Sequence, residues 1–132
     1  RHTRQIADYG GIAGIVPGYT GIFLLVTLTS IGLPGLNGFI GEFLILAGSW
    51  QVFPVAVVFA GLGVILGAVY MLWMFQRVFF NPLVHDENRT LTDVNARELV
   101  ALAPLVVLIV WIGVHPTTFL SPMEAAVRSL LG

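Results

Sequence analysis

Between Asp8 and Arg77 the chain carries a single charged residue, Glu42. No other feature constrains the fold as tightly. A water-soluble domain has about a quarter of its residues charged, spread along its length to solvate the surface. Here charged residues are 10% of the chain and mean hydropathy is +0.92. Long apolar runs of this kind point to lipid as the solvent, and so to an all-α integral membrane protein.

A spanning helix needs about 20 apolar residues at about 1.5 Å rise each. Residues 54–76 supply one, opening on Pro54 in the first turn, where a missing N–H is harmless. Residues 96–115 supply another. Asn95 and Glu98 have capping-box spacing at its start, and Pro104 inside it predicts a kink. Residues 18–50 are less regular. Two apolar halves, each short for a span, flank the sequence Gly32-Leu33-Pro34-Gly35. They are either a hairpin of two short spans or one span broken near its middle.

Arginine placement favours the broken span. There is no lysine, and positive residues gather on the cytoplasmic side. A single broken span puts Arg1, Arg4, Arg77, Arg89 and Arg97 together and leaves only Arg128 opposite. A hairpin separates the first two from the next three. The expected order is therefore inner loop 1–17, broken span 18–50, span 54–76, inner loop 77–95, span 96–115 and outer tail 116–132. Tyr19 and Trp50 sit at interfacial depth. The N-terminal segment is then cytoplasmic and the C-terminus periplasmic. The start Arg-His-Thr-Arg, without Met, suggests a piece of a longer chain.

The break gives Glu42 its interest. Interrupted membrane helices leave backbone groups that only protein or water can satisfy, and in transporters they lie beside ion or substrate sites. Gly32, Pro34, Gly35 and Gly38 form the break. Freed carbonyls are expected near 30–33 and freed amides near 36–39. Glu42 follows in the second half, sharing a helical face with Gly38, Phe39, Leu46 and Ser49, with Gly38 leaving room beside it. A carboxylate at that depth costs about 2.5–3.5 kcal/mol on insertion scales, and such residues usually face a protein interior and have a role. The chemistry it offers is proton binding and release. It could also fix helix packing by a hydrogen bond, or lie wet and idle at the interface. Thr27, Thr29, Ser30, Asn37 and Ser49 are candidates to line a hydrated path, although membrane-helix hydroxyls commonly bond back to their own helix.

Other features say less about chemistry. Ala56, Ala60, Gly63 and Gly67 make a small-residue seam suited to close helix packing. Tyr70 and Trp73 are expected at a helix contact or interface. His2, His85 and His115 form no ligand set, and Asn88-Arg89-Thr90 on the cytoplasmic side is a chance glycosylation match. The absence of cysteine excludes disulfides, thiolate metal sites and thiol catalysis. Net charge is −1, which argues against nucleic acid as a partner.

The run "SIGLPGLNGFIGEFLIL", 30–46, resembles the antiporter-like membrane subunits of respiratory complex I, the proton-pumping NADH:quinone oxidoreductase, above all the M or chain 4 type. The lead-in "RHTRQIADYGG" and the stretches "LTDVNARE" and "APLVVLIVWIGVHPTTFL" resemble the same subunits. Relatives of the L and N types, and Mrp-type antiporters, usually have Lys where this chain has Glu42. The resemblance implies the last three helices of a fourteen-helix subunit, the first of them discontinuous. It implies that Glu42 ends a hydrated polar axis as a buried proton carrier. Its partner Glu and Lys side chains would precede Arg1. NADH, FMN, iron–sulfur clusters and quinone would belong to other subunits, with none in this chain. The expected partners are the other membrane-arm subunits, the lipid bilayer and protons, in a bacterial inner membrane. Competing readings are a cation/proton antiporter subunit, a related hydrogenase or quinone-linked dehydrogenase arm, and a helical scaffold that transports nothing.

Overall fold

The computed structural model describes residues 3–132. Arg1 and His2, used in the arginine and histidine arguments, lie outside the described residues. Among the described residues the secondary structure is entirely helical. Five α-helices follow a short lead-in: α1 (Pro17–Ile31), α2 (Asn37–Trp50), α3 (Pro54–Phe75), α4 (Ala96–Val114) and α5 (Thr117–Leu131). A π turn, Gln76–Phe80, continues α3.

Local chemistry sets the helix ends. α1 has Pro17 in its first turn. It stops at Gly32, whose φ of 92° is open to glycine and strained for other residues. The Gly32 N–H donates to the Thr29 carbonyl at 3.1 Å, and the Leu33 N–H to the Leu28 carbonyl at 3.1 Å. This pair of bonds is a Schellman motif. Pro34 has no N–H with which to continue α1, and Leu36 is extended before α2 begins. α3 opens on Pro54 after the turn at 51–53. At α4 the Asn95 side chain accepts from the Glu98 N–H at 2.9 Å, and Glu98 accepts from the Asn95 N–H at 3.0 Å. Pro104 lies within α4. Residues 117–131, taken from the sequence as a tail, form a helix that carries Pro122 inside it.

The helices pack end against end. Tyr19 and Phe23 of α1 meet Phe79 and Phe75, with centroid separations of 6.2 Å and 6.1 Å, so the start of α1 lies on the end of α3. Ser30 and Ile31, at the other end of α1, face Ala60–Met71 in the middle of α3, as does Glu42 of α2. α2 then turns straight into α3. α1 and α2 therefore succeed one another along α3. A side-chain carbon at Gly38 would overlap the Thr29 carbonyl, so the first turn of α2 passes beside the last turn of α1.

A small core sits at one end, where Ile12, Val16, Phe75 and Phe79 are buried. Burying such a side chain contributes about 1.5–3 kcal/mol. There the lead-in docks on the connection from α3 to α4. The Asn88 amide donates to the Asp8 carbonyl at 3.0 Å, and the His85 ring meets the Ala7 carbonyl at 2.9 Å. Asn88 is fully buried, so the Asn-Arg-Thr triplet does not present a free acceptor. Elsewhere large apolar side chains face outward, Ile65 and Leu66 of α3 among them. α3 with its π turn, Pro54–Phe80, and α4 are each long and apolar enough to cross a membrane, and α1 is a shorter apolar helix.

Candidate functional site

The site lies where α1 gives way to α2. Glu42 is in the second turn of α2 and its side chain reaches back, so that its carboxylate lies against Gly32. Gly32 serves two purposes there. It takes the left-handed conformation that ends α1, and it leaves the space that the carboxylate fills. The sequence places room beside the carboxylate at Gly38. In the structure Gly38 is pressed on the Thr29 carbonyl, because the first turn of α2 passes beside the last turn of α1.

Glu42 is half-buried rather than enclosed. It lines an open cavity of about 570 Å³ together with Ser30, Ala60, Gly63, Gly67 and Tyr70. The small-residue seam of α3 lies on this cavity. Ala60, Gly63 and Gly67 form the cavity wall, and nothing lies within 4 Å of a carbon placed on Gly63. Tyr70 belongs to the same wall. Its i, i+3 and i, i+7 relation to Gly67 and Gly63 was the sequence signal that could have placed it there. Trp73 lies under the Arg77 guanidinium, 4.8 Å from its ring centroid.

The hydroxyl and amide candidates separate. Ser30 lines the cavity, but its hydroxyl donates back to the Val26 carbonyl at 2.9 Å. Thr27 is buried. Thr29 Oγ1 and Asn37 Oδ1 are buried without a hydrogen-bond partner among the described residues. They flank the break, at the last turn of α1 and the first residue of α2. A buried polar atom without a partner costs about 1–3 kcal/mol, which water or a neighbouring group offsets. Ser49 lies two turns beyond Glu42, outside the cavity lining. Of the expected freed groups, the Leu33 carbonyl accepts from the Leu36 N–H at 3.2 Å. No side chain caps the start of α2.

Two further residues hold the region and were not foreseen. Gly113 of α4 lies on the break, where an added carbon would overlap the Gly35 carbonyl and the backbone of Leu36. At the far end of α1, the Asp93 carboxylate accepts from the Gly18 and Tyr19 N–H groups at 2.8 Å each. The bond from Gly18, then that from Tyr19, holds the Asp93 carboxyl below its ordinary value against a smaller opposing effect of burial. Among the described residues no group of three His, Asp or Glu side chains is placed to hold a metal ion.

A helical chain of this composition, with helices long and apolar enough to cross a membrane, belongs to the class of integral membrane proteins. The chain belongs to the family described as "NADH:quinone oxidoreductase/Mrp antiporter, TM", whose profile matches residues 1–68. It is 46% identical over 116 residues to NADH-quinone oxidoreductase subunit M of Rhodobacter capsulatus, covering 88% of this chain and 23% of that protein. It is 42% identical to NADH-ubiquinone oxidoreductase chain 4 of Arabidopsis thaliana, covering 99% of this chain and 27% of that one. A chain of respiratory complex I from Thermus thermophilus superposes with a TM-score of 0.82 at 36% identity, covering 98% of this chain and 28% of that chain. The chain thus spans about a quarter of the length of the relatives it matches.

Proposed function

We propose that the chain is the C-terminal part of an M-type, or chain 4-type, subunit in the membrane arm of a proton-pumping NADH:quinone oxidoreductase. In this reading α1 and α2 are two halves of one interrupted membrane crossing, α3 and α4 are the next two crossings, and Glu42 carries protons. The other membrane-arm subunits and lipid cover the outward apolar faces. NADH, FMN, iron–sulfur clusters and quinone belong to other subunits. The location is a bacterial inner membrane with the N-terminal segment cytoplasmic and the C-terminus periplasmic.

The observation that carries the reading is the placement of Glu42. The carboxylate lies at the helix interruption, on a glycine, facing a cavity walled by small residues. Two unpartnered polar atoms nearby, Thr29 Oγ1 and Asn37 Oδ1, make water at the break favourable. A chain of water lets a carboxylate exchange protons without moving its backbone. The docking of the lead-in on residues 81–93 supports the crossing order. Those two segments share one side, so the residues between them cross and return. Arg4, Arg77 and Arg89 fall on that side, in keeping with a cytoplasmic face.

The test uses the full-length subunit in its complex. Glu42→Gln is expected to leave assembly and NADH oxidation measurable while lowering the protons moved per NADH oxidised in membrane vesicles. Glu42→Asp is expected to retain more pumping, since a shorter acid still titrates. Unchanged pumping by an assembled Glu42→Gln complex defeats the carrier role. Sodium-dependent exchange in vesicles without NADH would favour an Mrp-type antiporter instead.

A further inference from the structure

α1 has no capping side chain of its own, since Val16 occupies the position before Pro17. The acceptor comes from elsewhere in the chain. Asp93 Oδ2 takes the Gly18 N–H and Oδ1 takes the Tyr19 N–H. These are the second and third residues of α1, the donors that a local N-cap would satisfy. Gly18 has little room for more than hydrogen, because a carbon there would stand 3.0 Å from Val94 and 3.1 Å from Asp93 Oδ2. Two residues beyond Asp93, Asn95 caps α4. One short segment therefore ties the starts of α1 and α4 together.

The other end of α4 meets the segment that follows α1. Gly113, one residue before the end of α4, lies on the Gly35 carbonyl and Leu36 without space for a methyl group. α4 is thus a strut, fastened to the start of α1 at one end and seated on the break at the other. A helix is stiff along its axis, so a shift of α1 against α4 has to be taken up in residues 32–36. We infer that Asp93 is a positioning residue: it fixes α1 lengthwise against α4, and through Gly113 it sets the backbone of the break on which the Glu42 carboxylate rests. Its consequence for transport rests on the reading of Glu42 as proton carrier, whereas its consequence for the geometry around Glu42 does not. Roughly 20 Å of helix lies between Asp93 and the break, so the effect passes through packing and not through direct contact. Tyr70 is the other titratable side chain lining the Glu42 cavity, and no charged side chain of α1, α3 or α4 lines it.

Three variants of the full-length subunit in its complex separate this role from simple helix capping. Asp93→Ala removes both acceptor oxygens. Asp93→Asn keeps one and removes the charge. Val16→Thr combined with Asp93→Ala supplies a local cap of nearly the same volume without any tie to α4. The readout is the pH dependence of Glu42 modification by a hydrophobic carbodiimide, which reacts with protonated carboxyls, followed by peptide mass spectrometry. Protons moved per NADH oxidised are measured alongside.

With Asp93→Ala the midpoint of the pH profile of Glu42 modification is expected to move from that of the unaltered complex, and pumping to fall. The added Val16→Thr is expected to restore neither, and Asp93→Asn to restore most of both. An unmoved midpoint in Asp93→Ala overturns the inference, and so does full restoration by Val16→Thr. If neither Ala-bearing variant assembles while Asp93→Asn does, the residue is needed only for folding and the inference falls. If the midpoint moves but Glu42→Gln pumps normally, the inference about geometry stands and the carrier reading fails.

Discussion

Gly113 shows how one missing methyl group governs the break. It is a glycine in the last turn of an apolar helix, with no unusual backbone angle, and the sequence around it reads as ordinary span. Its neighbour is the backbone of residues 35 and 36, which cannot rotate aside as a side chain would. Gly113→Ala is therefore expected to destabilise the folded chain by about 1–3 kcal/mol, the usual cost of overpacking. Thermal unfolding of the full-length subunit, compared with Gly63→Ala, measures it. Gly63 faces open space, so alanine there should change little, and an equal loss at both positions would remove the explanation. The acid itself was legible because it stood alone in an apolar run, next to residues that cannot continue a helix. What lay against it was not legible. Gly32 and Gly38 are both near Glu42 in sequence, and only the passage of the first turn of α2 beside the last turn of α1 decides which one makes room for the carboxylate and which meets a carbonyl.

At the scale of elements, local signals were readable and distant ones were not. Pro54 opens α3 and the Asn95–Glu98 box opens α4 because each signal acts within a few residues. α1 also has a proline, Pro17, in its first turn, but its cap comes from Asp93, far along the chain. Within this chain the small residues of the α3 seam line a cavity, and small residues at helical spacing suit a close helix contact and a cavity wall equally well. The expected outer tail contains a helix at 117–131, which the prolines there do not prevent. Pro116 precedes the helix, and Pro122 is accommodated within it, as Pro104 is in α4. The capping box gives the prediction proper to this scale. Asn95→Ala is expected to cost about 1 kcal/mol, read as faster amide exchange in the first turn of α4. Because Asn95 makes no bond to α1, the Gly18 and Tyr19 amides should keep their protection. Loss at both sites would mean that the segment behaves as one unit.

The whole molecule is unevenly held. Its enclosed apolar cluster, Ile12, Val16, Phe75 and Phe79, lies at one end, braced by the rings of Tyr19 and Phe23 and by the buried Asn88. The opposite end has little of this kind. α5 contains no buried residue, and neither α2 nor α4 contains one within its bounds. Large apolar side chains of α2 and α4 face outward, Phe43, Ile45, Val100 and Val107 among them. Local stability follows the number of enclosed contacts, so opening should be graded along the molecule. In detergent micelles, amide exchange of the 132-residue chain is expected to be slowest from Phe23 to Leu28 and in the last turns of α3. It should be faster at 32–38 and fastest in α5. In the proposed full-length subunit the difference between the two ends is expected to shrink, since other protein and lipid are proposed to cover the faces of α2 and α4. The α5 amides, which no packed core protects in this chain, report whether that helix is covered as well. Uniform exchange from α1 to α5 in the isolated chain would mean that the cluster at one end does not hold the fold, and that the strut of α4 alone keeps the helices in place.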